Sequence, residues 1–166
     1  SGWFGVDSYS NSYDALVRAG PLFRADTDVE PFPQLAKSWE WSADGKELTM
    51  HLMEGVKWSD GQPFTADDVI FTWEDYISDP NVNSGKKADA FAFGGVPAKL
   101  EKIDDYTIKW TFGVSKPPQA LFLMSENNFD VMPAHIMKPL HPKYNTNTNY
   151  KEFANRPAPQ DLPQVT

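Results

Sequence analysis

The sequence predicts an α+β fold, an antiparallel sheet with helices packed on one face. Three observations carry this. Two stretches, 38–58 and 99–112, alternate apolar and polar residues with period two and contain tight-turn residues, which marks hairpins. Two others, 66–78 and 118–125, combine helix-start chemistry with apolar residues at helical spacing. The strand apolar sets, Leu48/Met50/Leu52 and Ile108/Trp110/Phe112, each fall on one face, which leaves a single core side for the helices to cover.

Taken in order, residues 1–12 (SGWFGVDSYSNS) read as a loop leading into a helix. Ser10 or Ser12 is the expected cap, Tyr13, Leu16 and Val17 share one side, and the helix is expected to run to about Arg18 before Gly20-Pro21 stops it. Leu22-Phe23 is expected to be extended, and Pro31 and Pro33 keep Phe32 extended between them. Trp39 and Trp41 stand two apart on one strand face. Asp44-Gly45 turns the chain into the strand carrying Leu48, Met50 and Leu52. Ser59-Asp60-Gly61-Gln62 is a second tight turn. Thr65 caps the helix over 66–78, with Asp67 and Asp68 in its positive first turn and Asp79-Pro80 at its end. Residues 81–97 read as a long loop, Asp104-Asp105 as the turn of the second hairpin, and Pro133 to Met137 as a short helix or turn. From about Pro139 the chain becomes rich in asparagine and proline, an expected surface segment with one helical turn near Tyr150 to Ala154. Three segments are therefore expected: 1–24 as a lead-in loop and helix, 25–138 as the α+β subdomain, and 139–166 as an extended polar tail.

The composition excludes several classes of function. The net charge is −8 over 166 residues with the acids scattered, which disfavours nucleic acid as a partner. There is no cysteine, hence no disulfide, thiolate metal site or cysteine nucleophile. No apolar run approaches 18 residues, so no segment is expected to span a membrane, and no charged-then-apolar leader begins at Ser1.

Reactive chemistry is sparse. His51, His135 and His141 show neither HxH nor HExxH spacing, so no metal site is expected, and no cofactor motif is present. Asp67 and Asp68 invite an acid/base reading. Helix neighbours point about 100° apart, however, and capping accounts for both. Asp60 with Asp67 is the remaining enzymatic alternative, and it too lacks a constellation. No catalytic residue is assigned. The candidate ligand-binding residues are the aromatics Trp3, Phe4 and Tyr9, with packing against the body as their alternative role.

The blocks LAKSWEWSADGKELTMHL and EGVKWSDGQPFTADDVIFTWE, followed by KLEKIDDYTIKWTF and FDVMPAHI and preceded by YDALVR, resemble in order the N-terminal part of family 5 of the bacterial extracellular solute-binding proteins, the dipeptide- and oligopeptide-binding type that serves ABC importers. The resemblance runs from about Tyr13 to Ile136. It implies the small subdomain of the first of two lobes, in a fragment of a longer chain. It also implies solute binding without catalysis, and a periplasmic or extracellular location, with membrane anchoring of the full-length protein as one arrangement. The partners implied are a small solute, a membrane permease of the ABC type and the rest of the same chain. Peptides are the commonest solute class of the family. Oligosaccharide binding is the alternative, since the segment after PAHIMKPLHPKYN resembles that branch. A rival outside the family is a secreted carbohydrate-binding module, which requires Trp39, Trp41, Trp58 and Trp110 to be exposed in a row.

Overall fold

The computed structural model describes residues 14–18, 31–83, 86–117, 119–125 and 129–154, together with Pro163 and Val165. Its centre is a four-stranded antiparallel sheet in the order β3-β4-β6-β5, formed by β3 (Ala36–Trp41), β4 (Glu47–Leu52), β5 (Lys99–Asp104) and β6 (Thr107–Thr111). Both predicted hairpins are present. The first turns at Gly45, which has φ +71° and packs so close to Ser115 that a Cβ there would collide with its side chain. Asp44 closes the same turn by accepting from the Ser42 hydroxyl and the Lys46 amide.

The alternation sorts the two sheet faces as expected. Leu48, Met50, Leu52, Ile108 and Trp110 are all fully buried, while Glu47, Thr49, His51, Thr107, Lys109 and Thr111 between them are half-buried. On the wetter face Lys109 lies 3.2 Å from Glu47 and 3.5 Å from Glu101. On the core face, Trp110 stacks between Phe91 at 5.5 Å and Phe112 at 6.3 Å, and meets Trp73 and Phe129 edge-on at 4.9 and 5.7 Å. Such tilted and offset ring pairs add to the burial of large apolar area. The helices pack on this one face.

The first helix is α1 (Ala66–Phe71), continued by a π-helical stretch, Thr72–Ile77. The predicted span is right, but its second half is wider than an α-helix: Ser78 N–H donates to the Trp73 carbonyl, five residues back. The widening begins at Thr72, whose hydroxyl donates to the Asp68 carbonyl while its N–H is shared between Asp68 and Val69. Two four-residue helices follow, α2 (Pro80–Asn83) and α3 (Lys86–Asp89), where a loop was expected. Asp79 starts α2 by accepting the Asn81 amide at 2.7 Å, with Pro80 in the first helical position, where its missing N–H costs nothing. The helix expected over 118–125 is present as α4 (Ala120–Leu123), and Pro133 precedes α5 (Ala134–Met137).

A second correction concerns the chain before Gly20. A helix to Arg18 was expected, but Val17–Arg18 is strand β1, paired antiparallel with β2 (Phe32–Pro33). Ala15, Leu16 and Val17 are three consecutive fully buried residues, which one face of a helix cannot supply. Their backbone groups are taken by neighbours instead. Leu35 and Ala36 donate to the carbonyls of Ala15 and Leu16, and Val17 forms a parallel bridge with Ser125. The segment from Pro139 is likewise less exposed than expected. It includes α6 (Tyr150–Ala154), as predicted, but His141 and Phe153 are buried, and Phe153 joins Phe71, Met132, Ala134 and Met137 in a second apolar cluster.

Trp110 carries the core, so Trp110→Ala should cost about 3–5 kcal/mol in urea denaturation. Its Nε1 has no partner among the described residues. Trp110→Phe, which deletes that unpaired donor, should therefore cost less than half as much as Trp110→Ala.

Candidate functional site

The predicted ligand-contacting aromatics Trp3, Phe4 and Tyr9 lie outside the described residues. Next to them in sequence, Asp14 and Ala15 are described. Asp14 accepts a 2.7 Å hydrogen bond from Gln34 Nε2, and Gln34 Oε1 accepts the Ala15 amide at 3.2 Å. Beyond this clamp the chain enters the core through Ala15, Leu16 and Val17.

The richest polar constellation runs along α1 and its π-helical continuation. Asp68, Thr72, Asp75 and Asp79 follow one another at spacings of four, three and four residues, so they share one helix face. All four are turned to the segment 132–150. Asp68 closes a capping box with Thr65, accepting the Thr65 amide at 2.9 Å. The same carboxylate accepts Trp58 Nε1 at 3.3 Å and the Ala134 amide at 2.8 Å. Thr72 Oγ1 accepts the Met132 amide at 2.9 Å. Asp75 takes Lys143 Nζ at 2.6 Å and the Tyr144 hydroxyl. Asp79 takes the Tyr150 hydroxyl at 2.9 Å and stands 3.6 Å from Nε2 of the buried His141. That imidazole is boxed by the rings of Phe71, Tyr144, Tyr150 and Phe153.

The electrostatics match this binding geometry. Burial pushes the Asp68 carboxyl up, partly countered by its hydrogen bonds from Thr65, Ala134 and Trp58. Burial also pushes Asp79 up, but bonds from Asn81 and Tyr150 outweigh it and hold the group below its usual range. The hydrogen bond to Asp75 raises Lys143. A carboxylate saturated with donors is a poor general base, so this seam fastens one chain segment to another.

Asp60, which sequence reasoning treated as a turn former, has a second role. It accepts the Gln62 amide at 3.1 Å, as a turn residue should, and it also lies 2.7 Å from Nε2 of His135. The hydrogen bond from His135 is the main cause holding the Asp60 carboxyl below its usual range. The structure thus does not pair Asp60 with Asp67. Asp67 is exposed and bound by Lys102 at 2.9 Å. Among the described residues no cluster of three or more His, Asp or Glu could hold a metal ion. The tryptophans form no exposed row: Trp58 and Trp110 are buried, and Trp39 and Trp41 pack half-buried against the core. That removes the observation on which the carbohydrate-binding-module reading depends.

A family model described as bacterial extracellular solute-binding proteins, family 5 Middle, matches residues 30–158. The periplasmic alpha-galactoside-binding protein of Rhizobium meliloti (strain 1021) is 48% identical over 157 residues, which make up 93% of this chain and 22% of that protein. The dipeptide-binding protein of Escherichia coli (strain K12) is 37% identical over 123 residues, 67% of this chain and again 22% of the relative. Among solved structures, the periplasmic binding protein MelB from agrobacterium fabrum C58, in complex with stachyose, superposes with a TM-score of 0.78 at 49% identity, covering 98% of this chain and 23% of that one. The chain therefore spans less than a quarter of the length of these relatives.

Two outcomes follow from the polar contacts. Asp68→Asn keeps the volume but turns an amide NH₂ toward donors, and should cost about 1–3 kcal/mol with faster hydrogen exchange at Ala134. For Asp60 the folded value lies below the unfolded one, so its stabilisation is present above the unfolded value, about pH 4, and is lost as pH falls through the lower folded value. The stability difference between the wild type and Asp60→Asn in urea titrations should accordingly be present above about pH 4 and fade below it.

Proposed function

The chain belongs to family 5 of the bacterial extracellular solute-binding proteins, and from that premise we propose that the full-length protein is the solute receptor of an ABC importer whose solute is an oligosaccharide of the α-galactoside class. It binds and delivers; it does not catalyse. The observation that carries this reading is the 48% identity to an alpha-galactoside-binding protein across 93% of the chain. The dipeptide-binding protein cited above and the oligopeptide-binding protein of Escherichia coli (strain K12) lie at 37% and 33%. Peptides, the commonest solutes of the family, are the second reading, supported by those same relatives.

In this reading residues 1–24 belong to the first lobe and include the solute-contact candidates Trp3, Phe4 and Tyr9, 25–138 form its small subdomain, and 139–166 lead to the rest of the same chain. The working location is the periplasm or the outer face of the cell, with the full-length protein free or membrane-anchored, and the macromolecular partner is an ABC permease. The saturated carboxylates of the helix seam support a scaffold role for the described body, since every one of them is already occupied by donors from the chain itself.

Calorimetry on the full-length protein tests the solute class. Stachyose should give saturable heat and a tripeptide none; the reverse pattern would move the receptor to the peptide branch. Trp3→Ala, Phe4→Ala and Tyr9→Ala should each weaken the favoured solute by about 1–2 kcal/mol, roughly five- to thirtyfold, without changing the melting temperature.

A further inference from the structure

His141 is fully buried, and the helix seam satisfies only one of its two ring nitrogens. Nδ1 accepts the backbone N–H of Lys143 at 3.2 Å. An acceptor nitrogen carries no proton, so the neutral ring holds its proton on Nε2. Nε2 has no hydrogen-bond partner among the described residues and stands 3.6 Å from Asp79 Oδ2. The Asp79 carboxylate is already taken by Asn81 and by the Tyr150 hydroxyl. The rings of Phe153, Tyr150, Tyr144 and Phe71 close round the imidazole, with centroids between 4.6 and 6.1 Å away.

A second proton can go only to Nδ1. There it faces the Lys143 N–H, donor against donor, and the charge sits in an apolar box. Asp79 attracts such a cation. Nε2 bears its proton in both forms, however, so that attraction gives the Lys143 amide no new acceptor. The turn 141–145 then has to shift, because it is built on His141, whose carbonyl accepts the N–H groups of Tyr144 and Asn145. Lys143 and Tyr144 in that turn are the two side chains held by Asp75. The rungs at Asp68 and Thr72 bind Ala134 and Met132, ahead of the turn, and do not pass through His141.

We propose that His141 is an acid-sensitive fastener, in which protonation at Nδ1 frees the segment 139–154 from the helix while residues 132–134 stay bound. The charged and titratable groups around it come from every element packed there. They are Asp79 before α2, Glu74 and Asp75 of the π-helical stretch, Lys138 ahead of His141, Lys143 and Tyr144 after it, and Tyr150 of α6. The hydrogen bond to Asp75 raises Lys143, burial raises Tyr144, and the bond to Asp79 raises Tyr150. Burial pushes Asp79 up, but the bonds from Asn81 and Tyr150 outweigh it and hold the group low. These four therefore keep their charge between about pH 5 and 8, the window in which imidazoles titrate. The device is independent of which solute the protein binds.

Hydrogen exchange of the full-length protein, read by mass spectrometry at about pH 7.5 and about pH 5.5 and corrected for intrinsic rates, tests this. Peptides covering 139–154 should exchange about tenfold or more faster at the lower pH, and peptides covering 129–137 less than about twofold faster. His141→Asn sets an amide oxygen where Nδ1 stands and does not titrate, so its 139–154 peptides should exchange equally at the two pH values. His141→Gln is the second non-titrating variant, with the same expected result, should the first not fold. Equal protection of 139–154 at both pH values in the wild type overturns the proposal. So does loosening that spreads equally into 129–137, or acid loosening that persists in a folded His141 variant. If neither variant folds, the contrast between 139–154 and 129–137 in the wild type decides.

Discussion

One buried carboxylate ties together parts of this chain that lie far apart in sequence. Asp68 caps its own helix through the Thr65 amide, takes the indole N–H of Trp58 from the preceding turn, and takes the Ala134 amide from a segment 66 residues away. Burying a carboxylate is costly unless its lone pairs are satisfied, and here three donors converge on it. The remaining rungs repeat the arrangement along the helix. Thr72 accepts Met132, Asp75 accepts Lys143 and Tyr144, and Asp79 accepts Tyr150. The apolar cluster of Phe71, Met132, Ala134, Met137 and Phe153 lies against this seam, so the polar contacts fix register where the apolar ones supply burial.

The same helix therefore works in two directions. Val69, Trp73 and Ile77 face the sheet and pack with Trp110, Phe91 and Phe129. The carboxylate face holds the segment 132–150. Between the two, the π-helical turn at Thr72–Ile77 adjusts where Asp75 and Asp79 project. Thr72 sits at the transition, since its hydroxyl both donates back to Asp68 and receives Met132. A helix so occupied on both sides has little left to offer a solute.

What was legible in the sequence follows from how local each interaction is. The sheet strands were readable because Leu48/Met50/Leu52 and Ile108/Trp110 state their buried face within five or six residues. Asp68 was readable as a cap because Thr65 stands three residues away. Its bonds to Trp58 and Ala134 were not readable, because nothing local marks a carboxylate as the acceptor for an amide 66 residues on. His135 and Asp60, 75 residues apart, were hidden for the same reason. The stretch Ala15–Val17 was misread as helical since its apolar residues suit either state, and the partners that decide it, Leu35, Ala36 and Ser125, are distant in sequence. The solute-contacting candidates rested on aromatic character alone, and the Asp14–Gln34 contact had no signal in the sequence.

On the proposed function, the described body is scaffold and the solute contacts fall to Trp3, Phe4 and Tyr9 in residues 1–13. Hydrogen exchange of the full-length protein with and without stachyose tests this division most directly. The account predicts slowed exchange in peptides covering residues 1–13 on adding the sugar, with β3, β4, β5 and β6 unchanged. Slowing confined to the half-buried polar face of the sheet, around Thr49, His51 and Lys109, with none in residues 1–13, would contradict it.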